Sequence, residues 1–200
     1  MKFILESNNL ADYLKSDKYI DFHEKSVQKK ADELFDSLSC KKEKIKAGFE
    51  YVRDKIHHSG DINSDKMTKS ASEVLEHGEG ICLAKSHLLA ALLRYAGIPA
   101  GLCYQRLTCG DTPDTGYVTH GLNAVFLSDE NKWIRLDARG NKQNVNSHFS
   151  IHEEKLAFPI RAEYGEVDYP VIHFQTHKKI TEVMDKYKNY REYMAGITEL

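Results

Sequence analysis

The sequence has no long apolar run. Its start, MKFILESNNL, holds only a three-residue apolar stretch before Glu6, which is too short for the core of a secretory signal. No segment approaches the roughly 18 uncharged apolar residues that are typical of a membrane span. These two absences predict a cytoplasmic protein that has no membrane partner.

The sequence also has little excess of charge of either sign. Its 28 Lys and Arg residues are balanced by 30 Asp and Glu residues, for a formal net charge of −2. A balanced surface lacks the basic footprint that nucleic acid requires, so no nucleic-acid partner is expected. There is no internal repeat, low-complexity tract or linker, and 200 residues suffice to bury one core. A single domain over 1–200 is therefore predicted.

Cysteines are few, and no two of them have CxxC spacing. The four are Cys40, Cys82, Cys103 and Cys109, and without an export signal disulfides are not expected. Zinc is the alternative for a chain with ten histidines, but these lack a recognised ligand spacing. Cys82 and His87, for example, are five residues apart and point to different faces of a helix. We therefore expect no metal and no other cofactor.

The first half of the chain has helical periodicity. Apolar residues recur every three or four positions over 27–38 and again over 45–56, which predicts two amphipathic helices. Ser70 and Glu73 have the spacing of a capping box ahead of a short third helix, and Gly78 suits the position just after its end.

The segment 82–96 is rich in helix formers and apolar on nearly all sides. A helix of this kind is surrounded by protein, so we predict that it is the central helix. Gly97 ends it, and Pro99 prevents the helix from resuming.

The second half has strand character. The segments 101–107, 118–127 and 132–138 are predicted strands, and a four-residue turn at 128–131 joins the last two into a hairpin. The polar stretches 57–68 and 109–116 are predicted loops. An extended stretch around 158–174 precedes a final helix marked by Ile180, Val183, Met184 and Tyr187. Helices followed by an antiparallel sheet predict an α+β fold, in which N-terminal helices and the central helix pack on the sheet.

Cys82 is the candidate nucleophile because it opens the central helix. The unpaired N–H groups and the positive end of the dipole at a helix N-terminus stabilise a thiolate and lower the thiol pKa. The same N–H groups are suited to hold an oxyanion. The alternative is a plain core cysteine, since free cysteines are among the most buried residues.

The predicted hairpin supplies a base for this thiol. If Leu127 pairs with Lys132 across the four-residue turn, His120 and Asp137 become diagonal neighbours on one face of the sheet. A turn of odd length would place them on opposite faces. An imidazole held by a carboxylate is the pair that nucleophilic catalysis needs, although structural His–Asp pairs are also common.

The run ASEVLEHGEGICLAKSHLLAALLRYAGIPAG resembles the nucleophile segment of the transglutaminase-like superfamily. It has Gly-x-Gly-x-Cys, an Arg twelve residues beyond the Cys, and then Gly-Ile-Pro-Ala. The upstream run 51–56, YVRDKI, resembles the helix that precedes this segment in the family. Downstream, Thr119-His120 and the run 133–137, WIRLD, fall where the family has its His and Asp motifs.

The resemblance covers about 45–140, which would be the catalytic core. It implies a papain-like thiol fold with Cys82, His120 and Asp137 as a catalytic triad. The Ala-Lys-Ser-His that follows Cys82 is similar to a bacterial subgroup. The chain departs from the family at two positions: it has Leu122 where an aromatic residue is common, and His58 where a Tyr often ends the preceding helix.

Four further residues are candidates for oxyanion or substrate contacts. They are His58, Gly80, Lys85 and Gln105. His58 lies in the loop where a second oxyanion donor is expected, and Gly80 would let a substrate backbone approach the thiol. Lys85 lies one turn from Cys82, where it would stabilise the thiolate or hold an acidic substrate group; a solvated polar edge is the alternative.

These features predict acyl transfer through a thioester on a peptide, protein or small amide substrate. A hydrolase is preferred to a transferase, because a small domain without accessory modules needs no acceptor site. Two alternatives remain: a peptide- or protein-binding module that lost the chemistry, and a metal-binding regulator. The sequence leaves the acyl acceptor and the oligomeric state open.

Overall fold

The computed structural model describes residues 2–196. Met1 and residues 197–200, which the single-domain prediction includes, lie outside the described residues. Helix α4, Cys82–Tyr95, runs through the centre, and every residue from Leu83 to Arg94 is buried. It packs on the three preceding helices and on two strands of the sheet. The apolar residues all around this segment correctly predicted the central helix.

Three helices precede α4. They are α1 (Lys25–Phe35), α2 (Lys41–Lys55) and α3 (Ala71–His77). The predicted capping box is confirmed, because the Ser70 hydroxyl accepts a hydrogen bond from Glu73 N and the Glu73 carboxylate accepts one from Ser70 N. Gly78 ends α3 at a positive φ of 67°, a conformation that favours glycine.

The main sheet has four antiparallel strands in the order β6-β5-β4-β7. These are β4 (Ala100–Thr108), β5 (Tyr117–Leu127), β6 (Lys132–Leu136) and β7 (Val167–Asp168). Leu127 pairs with Lys132, so the predicted register of the hairpin is confirmed. The mixed architecture, with a central helix packed on an antiparallel sheet, agrees with the predicted α+β class.

Short elements depart from the sequence predictions. The predicted loop 57–68 contains strand β2 (His57–His58), which pairs in parallel with β3 (Glu79–Gly80). Strand β1 (Ile4–Leu5), which no prediction covered, pairs with β8 (Val171–Ile172). Two-residue strands have no period to detect, and their partners lie far along the chain.

The predicted final helix is two helices, α5 (Lys178–Lys186) and α6 (Tyr190–Ala195). Tyr187, which was predicted in the helix, is extended and separates them. Asn189 then caps α6 by accepting a hydrogen bond from Glu192 N. No helix among the described residues is long and apolar enough to cross a membrane.

Candidate active site

Cys82 is the first residue of α4 and is half-buried. Its N-terminal neighbour Ile81 is extended, and no side chain caps the helix. The first N–H groups of α4 therefore lack intrahelical acceptors at the end where the thiol lies. Among the other cysteines, Cys103 is buried, and burial raises its pKa to about 12. Cys40 and Cys109 are exposed.

A close approach between β5 and the first turn of α4 brings His120 beside this thiol. The approach occurs at Gly121, where an added Cβ would lie 2.8 Å from Leu83 Cδ2 and 3.1 Å from Leu83 Cα. Because the second contact is with backbone, a larger residue there would force the strand away from the helix. Glycine at this position thus fixes the spacing between His120 and Cys82.

His120 is held from one side by Asp137. Its Nε2 lies 2.8 Å from Asp137 Oδ2, and both side chains are buried. Asp137 also accepts hydrogen bonds from two backbone groups, Ala157 N at 3.0 Å and Arg139 N at 3.2 Å. The ring of Phe158 packs edge-on against the imidazole with centroids 5.2 Å apart. These contacts fix the orientation of His120, and the predicted His–Asp contact is confirmed.

The second nitrogen of His120 faces Cys82. Since Nε2 is occupied by Asp137, Nδ1 is the atom that hydrogen-bonds the thiol. Burial alone would lower the pKa of His120, but the charges of Asp137 and Cys82 outweigh it and raise the pKa to about 10. Burial alone would raise the pKa of Cys82, but the charge and hydrogen bond of His120 lower it well below the usual thiol value. Both shifts favour the thiolate–imidazolium form of the pair.

His58 approaches Cys82 as a second imidazole and also hydrogen-bonds the thiol. Its Nδ1 accepts a hydrogen bond from Gly60 N at 3.2 Å, so the proton of the neutral ring resides on Nε2. Burial, aided by the charge of Arg139, lowers the pKa of His58 against the opposing effect of Cys82. Cys82 thus lies between two imidazoles whose pKa values are shifted in opposite directions, raised for His120 and lowered for His58.

A cleft of about 560 Å³ opens at these side chains. Cys82, His58 and His120 line it, so the thiol is open to a ligand. Its apolar lining comes from Ile81, Leu107, Val118, Val145, Phe158, Pro159, Tyr190, Tyr193 and Met194. The volume is in the range of ordinary small-ligand sites, which is roughly 300–1,000 Å³.

Gly80 does not line this cleft. A Cβ there would lie 2.9 Å from Thr68 Oγ1 and 3.2 Å from Val74 Cγ2. The structure therefore does not place Gly80 where it would admit a substrate backbone. The glycine allows β3 to pack closely on the protein's own interior, and its strand partner is His58.

Lys85 is also absent from the cleft lining, so the structure does not place it where it would hold an acidic substrate group. Its side chain is 1% exposed, and Nζ donates a hydrogen bond to the Ile56 carbonyl. Burial lowers its pKa to about 7. The ammonium group ties α4 to the residue just before β2, and so supports the strand that carries His58.

Gln105 contacts a neighbouring strand instead of the cleft. It pairs with His120 across β4 and β5, but its Nε2 donates to Asp168 Oδ1 at 3.3 Å, and its side chain is buried. Arg135 binds the same carboxylate of Asp168 at 2.6 Å. The structure therefore places the Gln105 side chain in this buried network and not where it would contact the substrate or an oxyanion.

Leu122, one of the two departures from the family pattern, lies away from the cleft. It is fully buried in a second apolar cluster with Tyr13, Cys103, Ala124 and Ile172. Within the described residues, no group of three or more His, Cys, Asp or Glu side chains is arranged to hold a metal ion.

Sequence reasoning missed several residues of the cleft. Phe158 against His120 and the wall formed by Tyr190, Tyr193 and Met194 were not singled out. The Pro-bearing extended stretch and the aromatic residues near the C-terminus can be read from the sequence. Nothing in their spacing, however, indicated that they return to the helix that begins at Cys82.

This architecture, with a thiol at the start of a central helix and a His–Asp pair on an antiparallel sheet, is that of transglutaminase-like and papain-like proteins. Residues 28–138 match the model of the transglutaminase-like superfamily, which is more than half of the chain. The chain belongs to that superfamily. The family supports an enzyme that uses cysteine-based catalysis.

Two solved structures are similar to this chain at low sequence identity. A candidate cysteine protease from Cytophaga hutchinsonii has a TM-score of 0.52 and 21% identity, over 66% of this chain and 43% of that one. The periplasmic domain of TgpA from Pseudomonas aeruginosa has a TM-score of 0.49 and 17% identity, over 66% and 48%. The chain thus matches less than half of the length of either structure. No curated protein sequence matches it.

Proposed function

We propose that this chain is a cysteine-dependent acyl-transfer enzyme in which Cys82 is the nucleophile, His120 the acid and base, and Asp137 the residue that orients His120. The observation that supports it most is the position of the Cys82 thiol at the start of α4, where it hydrogen-bonds the His120 imidazole that Asp137 holds at 2.8 Å. Neighbouring titratable groups whose pKa values are shifted in opposite directions are typical of sites in which one group acts as an acid and another as a base.

The first half-reaction forms a thioester. The Cys82 thiolate attacks an amide or ester carbonyl, and the C=O electron pair moves onto oxygen to give a tetrahedral oxyanion. The Cys82 backbone N–H and the Nε2–H of His58 are the proposed donors to that oxyanion. When the intermediate collapses, the proton on His120 Nδ1 passes to the departing amine or alcohol, which leaves as a neutral molecule.

The second half-reaction releases the acyl group. Neutral His120 removes a proton from water, or from an acceptor amine, as that nucleophile attacks the thioester. Collapse of the second oxyanion expels the thiolate, and the thiolate–imidazolium pair is restored. Asp137 stabilises the imidazolium and keeps Nε2 engaged, so that Nδ1 stays aimed at the reacting atoms. Water is the preferred acceptor, which makes the chain a hydrolase of peptide, protein or small amide substrates.

Trapping the acyl-enzyme tests this proposal. The protein is mixed with a library of glutamine-containing peptides and activated esters, quenched in acid within seconds, and examined by intact-mass spectrometry. We expect a mass increase equal to the acyl group, located on Cys82 by peptide mapping. An adduct on another residue, or turnover that survives Cys82→Ala, would contradict the mechanism. A binding-only module would show saturable binding without an adduct.

The role of His58 predicts a defect in turnover rather than in binding. His58→Ala should lower kcat by about 100-fold, the usual effect of removing one oxyanion donor, with little change in KM. His58→Gln restores an N–H donor and should recover most of the loss. His57→Ala is the matched control, because the adjacent imidazole is exposed and does not line the cleft. Equal kcat values for His58→Ala and His57→Ala would remove His58 from the mechanism.

A further inference from the structure

Much of the cleft lining lies beyond the residues that match the superfamily model, and α6 supplies one wall of it. The match to the family model ends at residue 138, whereas Tyr190, Tyr193 and Met194 of α6 line the cleft that contains Cys82. The two tyrosine rings lie near each other, with centroids 6.2 Å apart and an angle of 36° between their planes.

Backbone contacts fix this helix to the segment that carries His58. Tyr190 N donates to Asp65 O at 2.9 Å, and Arg191 N donates to Asp65 Oδ1 at 2.8 Å. Tyr190 also packs closely on Gly60, where an added Cβ would lie 2.5 Å from the phenol oxygen. The aromatic wall is therefore built against the same loop that orients the His58 imidazole.

Most of the charged side chains that line the cleft form ion pairs with other side chains of the protein. Arg139 and Lys142 both bind Asp61, and Arg161 binds Glu166 at 2.7 Å. The remaining lining carboxylate, Asp111, is exposed on the loop that follows β4. A charged acyl group would lose its hydration in this cleft and find few charged side chains free to pair with it. An apolar group would instead gain contacts with the aromatic wall.

We infer that α6 selects the acyl group, and that the preferred substrates carry an aromatic or other bulky apolar acyl side chain, which contacts Tyr190 and Met194. This inference rests on the proposed function. Tyr193 contributes to the same wall, but it is 5% exposed and part of the main core, so its substitution would report on stability as well. Tyr190 and Met194 are more exposed and are the positions to vary.

Three p-nitrophenyl esters test the inference: the acetate, the 3-phenylpropanoate and the anionic glutarate. Each kcat/KM is divided by the rate of hydroxide hydrolysis of the same ester, which removes intrinsic reactivity. The corrected kcat/KM of the phenylpropanoate should exceed that of the acetate by about tenfold or more, the selectivity that an apolar pocket commonly gives. Tyr190→Ala and Met194→Ala should each lower that ratio at least about threefold. The matched control is Arg191→Ala, since Arg191 is an exposed α6 residue outside the cleft lining, and its ratio should stay at the wild-type value.

The outcomes separate this inference from the proposed function. A corrected ratio of phenylpropanoate to acetate near one, or a preference for the glutarate, would overturn the role of α6. Equal loss of the acetate and phenylpropanoate activities in Tyr190→Ala and Met194→Ala would do so too. A fall of the ratio in Arg191→Ala as well would do the same, because it would mark a general effect of disturbing the helix. Ester hydrolysis that survives Cys82→Ala would instead refute the proposed function itself.

Discussion

Cys82→Ala is expected to abolish turnover while the protein stays folded. Loss of the nucleophile in a serine protease lowers kcat by about 10⁶-fold, and a loss of at least about 10⁴-fold is expected here. The reason is that no other described side chain of the cleft combines a thiol with a contact to the imidazolium of His120. Initial rates with p-nitrophenyl esters, and with any amide identified by acyl-enzyme trapping, provide the measurement.

Two controls make this result specific. Cys40→Ala removes an exposed thiol that does not line the cleft, and it should retain wild-type rates. The melting temperature of Cys82→Ala should change little, because the thiol is half-buried and the bond between His120 and Asp137 remains. A loss of about 1 kcal/mol would lower the melting temperature of a protein of this size by about 2–4 °C. Cys82→Ala with rates like those of Cys40→Ala would exclude Cys82 as the nucleophile.

The sequence was most informative where one strong pattern dominates the local structure. Helix α4 was predictable because a segment apolar on all sides has to be enclosed by protein. The contact between His120 and Asp137 was predictable because the turn length fixes the register, and the register fixes the face of each side chain. Both inferences need only the chemistry of nearby residues and the periodicity with which side chains alternate along a helix or strand.

The remaining site residues depend on contacts that have no local signal. Lys85 is one turn from Cys82, and helical spacing alone does not distinguish a cleft position from the buried one where it binds Ile56 O. The donor role proposed for His58 depends on Gly60 N and on a two-residue strand pair. The wall of Tyr190 and Met194 requires the chain to return after more than a hundred residues. Such long-range placement follows from the packing of the whole fold.

His120→Ala should remove the cation that ionises Cys82, and the pH dependence of thiol alkylation should show it. In the wild type the thiolate forms as the pH rises through the lowered pKa of Cys82, and the imidazolium persists until about pH 10. The rate of iodoacetamide labelling at Cys82 should therefore reach its plateau at a pH well below the one that an ordinary thiol requires. In His120→Ala, burial raises the thiol pKa against the hydrogen bond of His58 alone, so the midpoint should move up towards about 8.5, the ordinary thiol value.

The midpoint is the diagnostic quantity, and the rate at a single pH is not. A thiol of higher pKa is a stronger nucleophile once it ionises, so the alkaline plateau of His120→Ala will partly offset its low thiolate fraction near neutrality. Asp137→Asn should shift the midpoint in the same direction but less. This variant removes the charge that stabilises the imidazolium, but the imidazole of His120 is still present. His148→Ala, which alters an exposed imidazole outside the cleft lining, should leave the midpoint in place. Turnover in His120→Ala should fall by about 10³-fold or more at every pH, since the leaving group also loses its proton donor. A wild-type midpoint near 8.5, or one that does not move in His120→Ala, would mean that no thiolate–imidazolium pair forms and that Cys82 is an ordinary cysteine at a helix end.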